Sequence, residues 1–241
     1  MTDHRIHRPK SVRLTLGEGP LRFAVDNRAE IGAHWAAALG ANPRLWNGPF
    51  FMFEDVRLEN GSLTGVARSS DFATFLFWRD NGRPADAVHI AGTSLPITAD
   101  GALFAIRMAA HTANPGAVYF PAGSFDAADI AGGLFDVTGN IMREMREETG
   151  LAFEEARAET GVTAVTNSGA IHVARRNLLA EDFAACAERL ARHQAETGDD
   201  EIDGAVAIRP DDGSRAGLKS YARALADWHF ENAAFSCTGD A

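Results

Sequence analysis

The segment 143–151, with the sequence REMREETGL, constrains the fold of this chain more than any other part of it. Its three glutamates, Glu144, Glu147 and Glu148, have the spacing i, i+3 and i+4, which places three carboxylates on one face of a helix. Crowded negative charges do not stabilise a helix, whereas hard cations such as Mg²⁺ and Mn²⁺ prefer oxygen ligands and would remove the repulsion. Gly150 stands where a glycine commonly ends a helix. The segment therefore predicts a helix that ends before Gly150 and carries a metal site.

Arg143 adds a second constraint, because it lies four residues before Glu147 and can pair with that carboxylate or orient it. A solvated acidic helix face is the competing interpretation, but it requires neither this arginine nor the glycine. The pattern R-E-U-x-E-E-x-G-U, where U is a bulky aliphatic residue, resembles the second half of the signature of the Nudix hydrolases, G-x5-E-x7-R-E-U-x-E-E-x-G-U. The resemblance extends from about Val88 to Arg209. It implies an α/β fold, namely a Nudix-like α/β/α sandwich with a mixed β-sheet.

The first half of the signature departs from the family pattern. Its glycine normally lies fourteen residues before the arginine, but the best candidate here, Gly123, lies twenty before it. About six residues are therefore inserted within 124–133. The usual glutamate would fall at Phe135, and Asp126 and Asp136 are the two candidates to replace it.

The N-terminal third is rich in aromatic residues, most of which we expect to form a small core. The stretch NPRLWNG at 42–48, followed by DF at 71–72, resembles the N-terminal region of the UDP-sugar hydrolase branch of the Nudix family, whose substrates are UDP-glucose and UDP-galactose. The sequence LFD at 134–136 and the enlarged signature resemble the same branch.

These observations predict a chain organised in three parts. We expect an N-terminal α+β extension at 1–85 packed on a Nudix hydrolase domain at 86–234, and a frayed tail at 235–241. Weak alternation at 11–25, around a Gly-Glu-Gly-Pro turn, predicts a β-hairpin at the start of the extension.

The resemblance implies roles for the signature residues. Glu144, Glu147 and Glu148 would be the side-chain ligands of Mg²⁺, with Mn²⁺ as the alternative. A backbone carbonyl at Gly123, or at the residue before it, would complete the site. Arg143 would hold a glutamate in place.

Hydrolysis also requires a general base. In different Nudix branches this is a glutamate of the signature helix, here Glu147, or a carboxylate from a later loop. Glu201 is the downstream candidate, because it lies in an acidic loop just before a predicted strand. Asp199 and Asp200 are close competitors, and a solvent-facing acidic turn is the plain structural alternative.

Four side chains are candidates for binding the substrate. Arg107 ends a predicted strand at a position where Nudix proteins often place an arginine near the phosphates. Arg79 follows a short aromatic helix and can reach a diphosphate or a sugar. Trp46 or Phe72 can stack on a base, since stacking needs only a flat apolar face.

The composition of the chain narrows the classes of partner that the protein is expected to bind. The net charge of −10 and the lack of a basic block disfavour nucleic acid, whereas a small nucleoside diphosphate derivative can still bind through metal and a few arginines. No apolar run is long enough to span a membrane, and the charged N-terminus has no apolar signal core, so we expect a cytoplasmic protein with no membrane partner. Cys186 and Cys237 lack metal-ligand spacing and are expected to be free thiols. Members of the family often dimerise, so a homodimer is one possible state of this protein.

Three functions compete at this point. The first is Mg²⁺-dependent hydrolysis of a nucleoside diphosphate sugar to a nucleoside monophosphate and a sugar phosphate. The second is hydrolysis of another diphosphate compound, such as ADP-ribose, NADH, coenzyme A or a nucleoside triphosphate. The third is a catalytically weak, nucleotide-binding regulator on a Nudix scaffold. This function stays possible because Phe135 occupies the position of the usual glutamate.

Overall fold

A computed structural model of the chain describes residues 4–151, 156–211 and 213–238. These residues form two mixed β-sheets, six α-helices and two short 3-10 helices. None of these helices is long and apolar enough to cross a membrane. The strands are β1 (Arg5–His7), β2 (Ser11–Pro20), β3 (Pro49–Glu59), β4 (Ser62–Asp71), β5 (His89–Ile97), β6 (Leu103–Met108), β7 (Val118–Tyr119), β8 (Ala122–Ser124), β9 (Ile130–Ala131), β10 (Leu134–Phe135), β11 (Ala156–Ala158), β12 (Thr163–Asn167), β13 (Ala170–Leu179) and β14 (Ile202–Ile208). The helices are α1 (Arg22–Asp26), α2 (Arg28–Ala41), α3 (Phe72–Asp80), α4 (Val137–Thr149), α5 (Phe183–Thr197) and α6 (Ser220–Glu231).

The larger sheet is covered by helices on both faces. Its strand order is β1-β12-β13-β5-β6-β14, and β13 pairs with β5 in parallel. On one face of the buried strand β5, the Ser94 hydroxyl donates to Met145 Sδ of α4 at 3.1 Å. On the opposite face, Thr93 hydrogen bonds to His172 of β13, and the imidazole stacks on Tyr221 of α6 with 3.6 Å between ring centroids. The predicted α/β/α sandwich with a mixed β-sheet is therefore confirmed.

The smaller sheet forms the core of the N-terminal α+β extension. Its order is β3-β4-β2-β10-β9, and the tight turn between β3 and β4 contains Asn60 (φ 52°) and Gly61 (φ 73°), as that sequence predicts. The predicted hairpin at 11–25 is wrong. Strand β2 runs unbroken to Pro20 and pairs in parallel with β4, and α1 follows it. Local alternation cannot show a parallel partner that lies about fifty residues later in the chain.

Strands cross the predicted boundary at residue 85 in both directions. From the N-terminal side, β1 pairs with β12 in the larger sheet. From the C-terminal side, β9 and β10 lie within and beside the segment 124–133 and complete the smaller sheet. Phe125 and Phe135 of this segment pack on Phe53 of β3, with centroid distances of 6.0 Å and 5.8 Å. The insertion therefore joins the extension to the larger sheet, while the division into two domains stays a proposal.

A buried ion pair gathers several elements at one end of the larger sheet. Arg176 donates to Glu159 through Nε at 2.8 Å and Nη2 at 2.7 Å, and both side chains are 2% exposed. The guanidinium lies over the rings of Trp228 (4.5 Å) and Phe235 (4.0 Å), and Arg8 supplies a second cation to Glu159 at 2.9 Å.

The C-terminal segment packs close to this ion pair. Cys237 is 5% exposed and forms a β-bridge with Glu159, and the backbone N–H of Thr238 donates to Ala158 at 2.8 Å. The predicted frayed tail is therefore wrong for 235–238, because these residues cover an apolar and cationic surface that local sequence does not indicate. Residues 239–241 lie outside the described part of the chain.

Candidate active site

Helix α4 holds the signature segment against the larger sheet. Asp136 caps its N-terminus. Gly150, in the left-handed region with φ 68°, caps its C-terminus, which is the helix end that the sequence predicts. The helix approaches β5 so closely that a Cβ on Gly92 would lie 2.1 Å from Asn140 Oδ1. This contact fixes the position of the helix, and with it the position of the glutamates that follow.

Two of the signature glutamates lie against β8. Glu144 packs so tightly on Gly123 that a Cβ there would be 1.9 Å from the carboxylate carbon. Glu148 accepts a hydrogen bond from the backbone N–H of Ala122 at 2.9 Å. Burial raises the pKa of Glu144 to about 7. Burial, followed by the negative charges of Glu144 and Glu201, raises the pKa of Glu148 well above its usual range.

Glu147 lies at the rim of the same region. Its side chain is 54% exposed, and it accepts a hydrogen bond from Arg143 Nη1 at 2.9 Å. Arg143 Nη2 lies 2.9 Å from Glu144 Oε1. One guanidinium therefore bridges two of the three signature glutamates, and this is the contact expected for Arg143.

The chemistry of these donors fits a divalent cation, although the side chains do not converge on one point. Within the described residues, no three His, Cys, Asp or Glu side chains form a ready metal-binding group. Glu144, Glu148 and Glu201 nevertheless supply only oxygen donors, the kind that Mg²⁺ and Mn²⁺ prefer. Burial, and after it the negative charges of Glu144 and Glu201, raises the pKa of Glu148, and a bound cation would relieve the repulsion between these carboxylates.

Of the three aspartates Asp126, Asp129 and Asp136, Asp129 makes the shortest contacts with the guanidinium of Arg143. The Asp129 carboxylate is 3% exposed and accepts from Arg143 Nε at 3.2 Å and Nη2 at 2.9 Å. It also accepts from Asn140 and from the backbone N–H of Asp126, both at 2.9 Å. Asp136 is occupied as the N-cap of α4, and Asp126 lies 3.5 Å from Arg143 and is half-exposed. The buried carboxylate beside Arg143 is therefore neither Asp126 nor Asp136, the two candidates to replace the missing glutamate. The inserted segment forms a short 3-10 helix that turns Asp129 inward instead.

We expect Asp129→Asn to destabilise the protein by about 2 kcal/mol, because an amide cannot accept all four hydrogen bonds and leaves charged and buried donors unpaired. The free energy of unfolding in urea measures this. Asp126→Asn is the matched control, because asparagine also caps a helix and Asp126 is more exposed; we expect a change below about 0.5 kcal/mol. Equal losses in the two variants would contradict the central place of Asp129.

Glu201 lies in the same cavity as Glu148. This cavity has a volume of about 580 Å³, and its lining includes both carboxylates, Trp46 and Asp200. Asp200 is held by Arg44 at 3.1 Å. It is also held by His111 at 3.2 Å. Asp199, the other competitor, accepts from the backbone N–H of Glu201 and is half-exposed. Among the three downstream candidates, Glu201 and Asp200 line the cavity, and Asp200 is already engaged in ion pairs.

A second cavity of about 510 Å³ adjoins the first. We call this second cavity lobe A and the first cavity lobe B. Lobe A lies beside α3 and α6, and lobe B is the one that contains Glu148 and Glu201. Both lobes are lined by Ala122 and Ser124, so they meet at β8, next to the carboxylates. The cleft is therefore built between the N-terminal extension and the larger sheet. The residues shared by the two lobes are Phe50, Phe72, Asn114, Tyr119, Ala122 and Ser124.

The predicted substrate-binding residues are found in different places. Arg79 lines lobe A, where its Nε also pairs with Asp80 at 2.8 Å. Trp46 lines lobe B and is 75% exposed. Arg107 is exposed on β6 and lines neither lobe, because strand alternation turns it away from Met108, which does. The structure therefore does not bring Arg107 together with the other site residues.

Several residues of the cleft were missed by sequence reasoning. Asp129 lies in the insertion, where no family position corresponds to it. Arg83 and Lys219 line lobe A from segments that are distant in sequence, and His89 and His172 lie on neighbouring parallel strands. No local pattern connects these residues. Only the parallel pairing of β5 with β13 brings the two histidines together.

We expect Gly123→Ala to lower turnover by roughly tenfold or more, because the new methyl group would displace the Glu144 carboxylate from β8. The flexible end of a glutamate can move, so the melting temperature should change little. Gly40→Ala in α2, where a Cβ would meet nothing within 4 Å, is the control and should leave turnover unchanged. Full activity in Gly123→Ala would show that this position of Glu144 is not required.

Comparisons with known proteins give a likeness in fold. A scan against protein-family models gives no match, and a search of curated proteins gives none either. Among solved structures, the chain is similar to a Nudix hydrolase from Nitrosomonas europaea, with 13% identity, a TM-score of 0.43, and coverage of 63% of this chain and 93% of that one. It is also similar to a MutT protein from Methanosarcina mazei Go1 (14% identity, TM-score 0.40, coverage 61% and 95%). A third similar structure is the Nudix domain of Shewanella oneidensis NrtR in complex with ADP-ribose (12% identity, TM-score 0.43, coverage 65% and 97%). At these identities and TM-scores, the activity of the chain has to be argued from its own residues.

Proposed function

We propose that this protein is a Nudix-type pyrophosphohydrolase that cleaves the diphosphate linkage of a nucleoside diphosphate sugar in the presence of Mg²⁺. The observation that carries the proposal is the Glu148 carboxylate. It is half-buried, lines lobe B, accepts a hydrogen bond from Ala122 where the two lobes meet, and lies close to the carboxylates of Glu144 and Glu201. A carboxylate in this position costs folding free energy that a bound cation would offset, and carboxylates placed in this way cluster at functional sites. A site for a cation and a polyanionic substrate is the function that its surroundings fit.

The residues divide the chemistry between them. Glu144 and Glu148 would hold the metal, with Glu147 available from the rim and a backbone carbonyl of β8 beside them. When bound, a divalent cation neutralises charge on the diphosphate and lowers the pKa of a coordinated water. Arg143 keeps Glu144 and Glu147 in place through the two contacts that it makes.

Water would add to one phosphorus atom, and the phosphoanhydride P–O bond would break, giving a nucleoside monophosphate and a sugar phosphate. Glu201 is the side chain that we assign to accept the proton of the attacking water. It lines the same cavity as Glu148 but lies in the loop before β14, so it reaches the cavity from a different part of the chain than the signature glutamates. Glu147 is the alternative base.

We expect Glu201→Gln to lower kcat by roughly 100-fold with little change in KM, because removing a general base acts on the transition state and not on binding. The pH–rate profile of the variant should also differ from that of the wild-type protein. Glu188→Gln, an exposed glutamate on α5, is the control. An unchanged profile in Glu201→Gln would assign the role to Glu147 instead.

The sugar part of the proposal rests on two kinds of support. One is the resemblance of 42–48 and of the enlarged signature to the UDP-sugar branch. The other is lobe B, whose polar lining and exposed Trp46 suit a neutral, hydroxyl-rich group. Values of kcat/KM for UDP-glucose, ADP-ribose, NADH and coenzyme A test it. A preference for UDP-glucose of at least tenfold is expected, and preference for another compound would retain the hydrolase and overturn the substrate.

A further inference from the structure

Lobe A carries an excess of positive charge. Arg79 lies in the last turn of α3, Arg83 follows it in a loop, and Lys219 precedes α6. All three line the lobe and are half-buried. Arg79 pairs with Asp80, but within residues 4–151, 156–211 and 213–238 no carboxylate forms an ion pair with Arg83 or Lys219. The lobe is therefore suited to an anion.

The cations are close enough to repel each other. Burial, and after it the charge of Arg79, lowers the pKa of Arg83. Burial, and after it the charges of Arg79 and Arg83, lowers the pKa of Lys219. A bound phosphate would replace this repulsion with attraction.

The start of α6 adds backbone donors to the same place. Lys219 is the N-cap of this helix and makes no side-chain capping bond, and Ser220 and Tyr221 of the first turn line the lobe. The N–H groups at the start of a helix lack partners within the helix and bind anions together with the positive end of its dipole. Two cations and a helix start therefore face one space.

The remaining wall of lobe A offers flat and polar surfaces suited to a base. Phe50 and Phe75 are stacked, with ring centroids 4.6 Å apart, and both are half-buried at the cavity. Asn167 Oδ1 is buried without a hydrogen-bond partner within the described residues, so it can accept from a base N–H. Burial lowers the pKa of His89 to about 3, which leaves a neutral imidazole beside the rings.

The described residues that line lobe B offer no comparable site for a free phosphate in the absence of a cation. Its arginine, Arg44, pairs with Asp200 at 3.1 Å, and the imidazole of His111 lies 3.2 Å from the same carboxylate. Glu148 and Glu201 also line lobe B, and without a bound cation they would repel a phosphate group. The two halves of a cleaved substrate therefore meet opposite electrostatic environments.

We propose that lobe A is the subsite for the nucleoside monophosphate half of the substrate, with Arg83 and Lys219 on its phosphate, Phe50 and Phe75 against its base, and Asn167 at the base edge. The other half then lies in lobe B. This inference rests on the proposed function for the link to catalysis, but the binding that it predicts needs neither metal nor turnover.

Calorimetric titration of the full chain with UMP in EDTA tests the subsite. We expect UMP to bind, and Arg83→Met and Lys219→Met each to weaken the affinity by roughly tenfold, since each removes a charged donor and keeps most of the apolar stem. Arg192→Met, an exposed arginine on α5, should leave the affinity unchanged. Glucose 1-phosphate should bind at least roughly tenfold more weakly than UMP, because it lacks a base.

Three results would overturn the inference. These are no UMP binding, binding that Trp46→Ala weakens and Arg83→Met does not, and equal affinity for glucose 1-phosphate with the same dependence on Arg83. Turnover of UDP-glucose in Mg²⁺, measured in parallel, separates the two proposals. Turnover without UMP binding overturns the subsite alone, and UMP binding in lobe A without turnover of any diphosphate overturns the proposed function alone.

Discussion

Glu148→Gln should lower kcat by at least roughly 100-fold, or about 2.7 kcal/mol, while the protein becomes no less stable. Glutamine keeps the shape of the side chain and can still accept from Ala122, but it removes a negative charge from the metal-binding face. A residue that serves only the fold would show the opposite result, with lost stability and unchanged rate. Glu188→Gln on α5, which is exposed, is the matched control and should change neither quantity.

The pH dependence of stability gives the same prediction a second test. The pKa of Glu148 is raised in the folded state, so its ionised form opposes folding above the unfolded pKa of about 4.3. In EDTA, Glu148→Gln should therefore be more stable than wild type at neutral pH, and the difference should shrink as the pH falls toward about 4. A loss of stability at neutral pH would mean that the Glu148 carboxylate serves the fold.

Arg176→Met should destabilise the protein by about 3–5 kcal/mol, because Glu159 would keep its buried charge and lose two direct hydrogen bonds. Arg8 remains near Glu159, which places the expected value toward the lower end of that range. The free energy of unfolding in urea is the measurement. Arg223→Met, whose partner Asp227 is 3.8 Å away at the surface, is the control, with an expected change below about 0.5 kcal/mol.

A double variant separates the two causes of that loss. If the unpaired charge of Glu159 dominates, Glu159→Met combined with Arg176→Met should be more stable than Arg176→Met alone. If packing of the guanidinium between Trp228 and Phe235 dominates, the double variant should be less stable. A loss below about 1 kcal/mol in the single variant would contradict the view that this ion pair holds the C-terminal segment in place.

The parts of the structure that the sequence predicts well have local causes. Helix α4 ends before Gly150 because the left-handed backbone there favours a glycine. The turn between β3 and β4 follows from Asn60 and Gly61. Each of these signals lies within a few residues of the feature that it specifies.

The parts that the sequence does not predict depend on distant contacts. Strand β2 alternates like one arm of a hairpin, and only its partner β4 distinguishes the two arrangements. Asp129 pairs with Arg143 because the inserted segment turns back over α4, and its length alone does not determine that path. Lys219 and Arg83 meet in lobe A across more than a hundred residues of intervening chain.

The most direct test of the account is a ³¹P NMR spectrum of UDP-glucose incubated with the wild-type protein in Mg²⁺ and, separately, in EDTA. We predict that the two diphosphate resonances are replaced by two monophosphate resonances in Mg²⁺ and persist in EDTA. Persistence of the diphosphate resonances of UDP-glucose, ADP-ribose, NADH and coenzyme A with folded protein in both Mg²⁺ and Mn²⁺ would contradict a hydrolytic centre at Glu144 and Glu148. The catalytically weak, nucleotide-binding regulator would then be the function that fits this cleft.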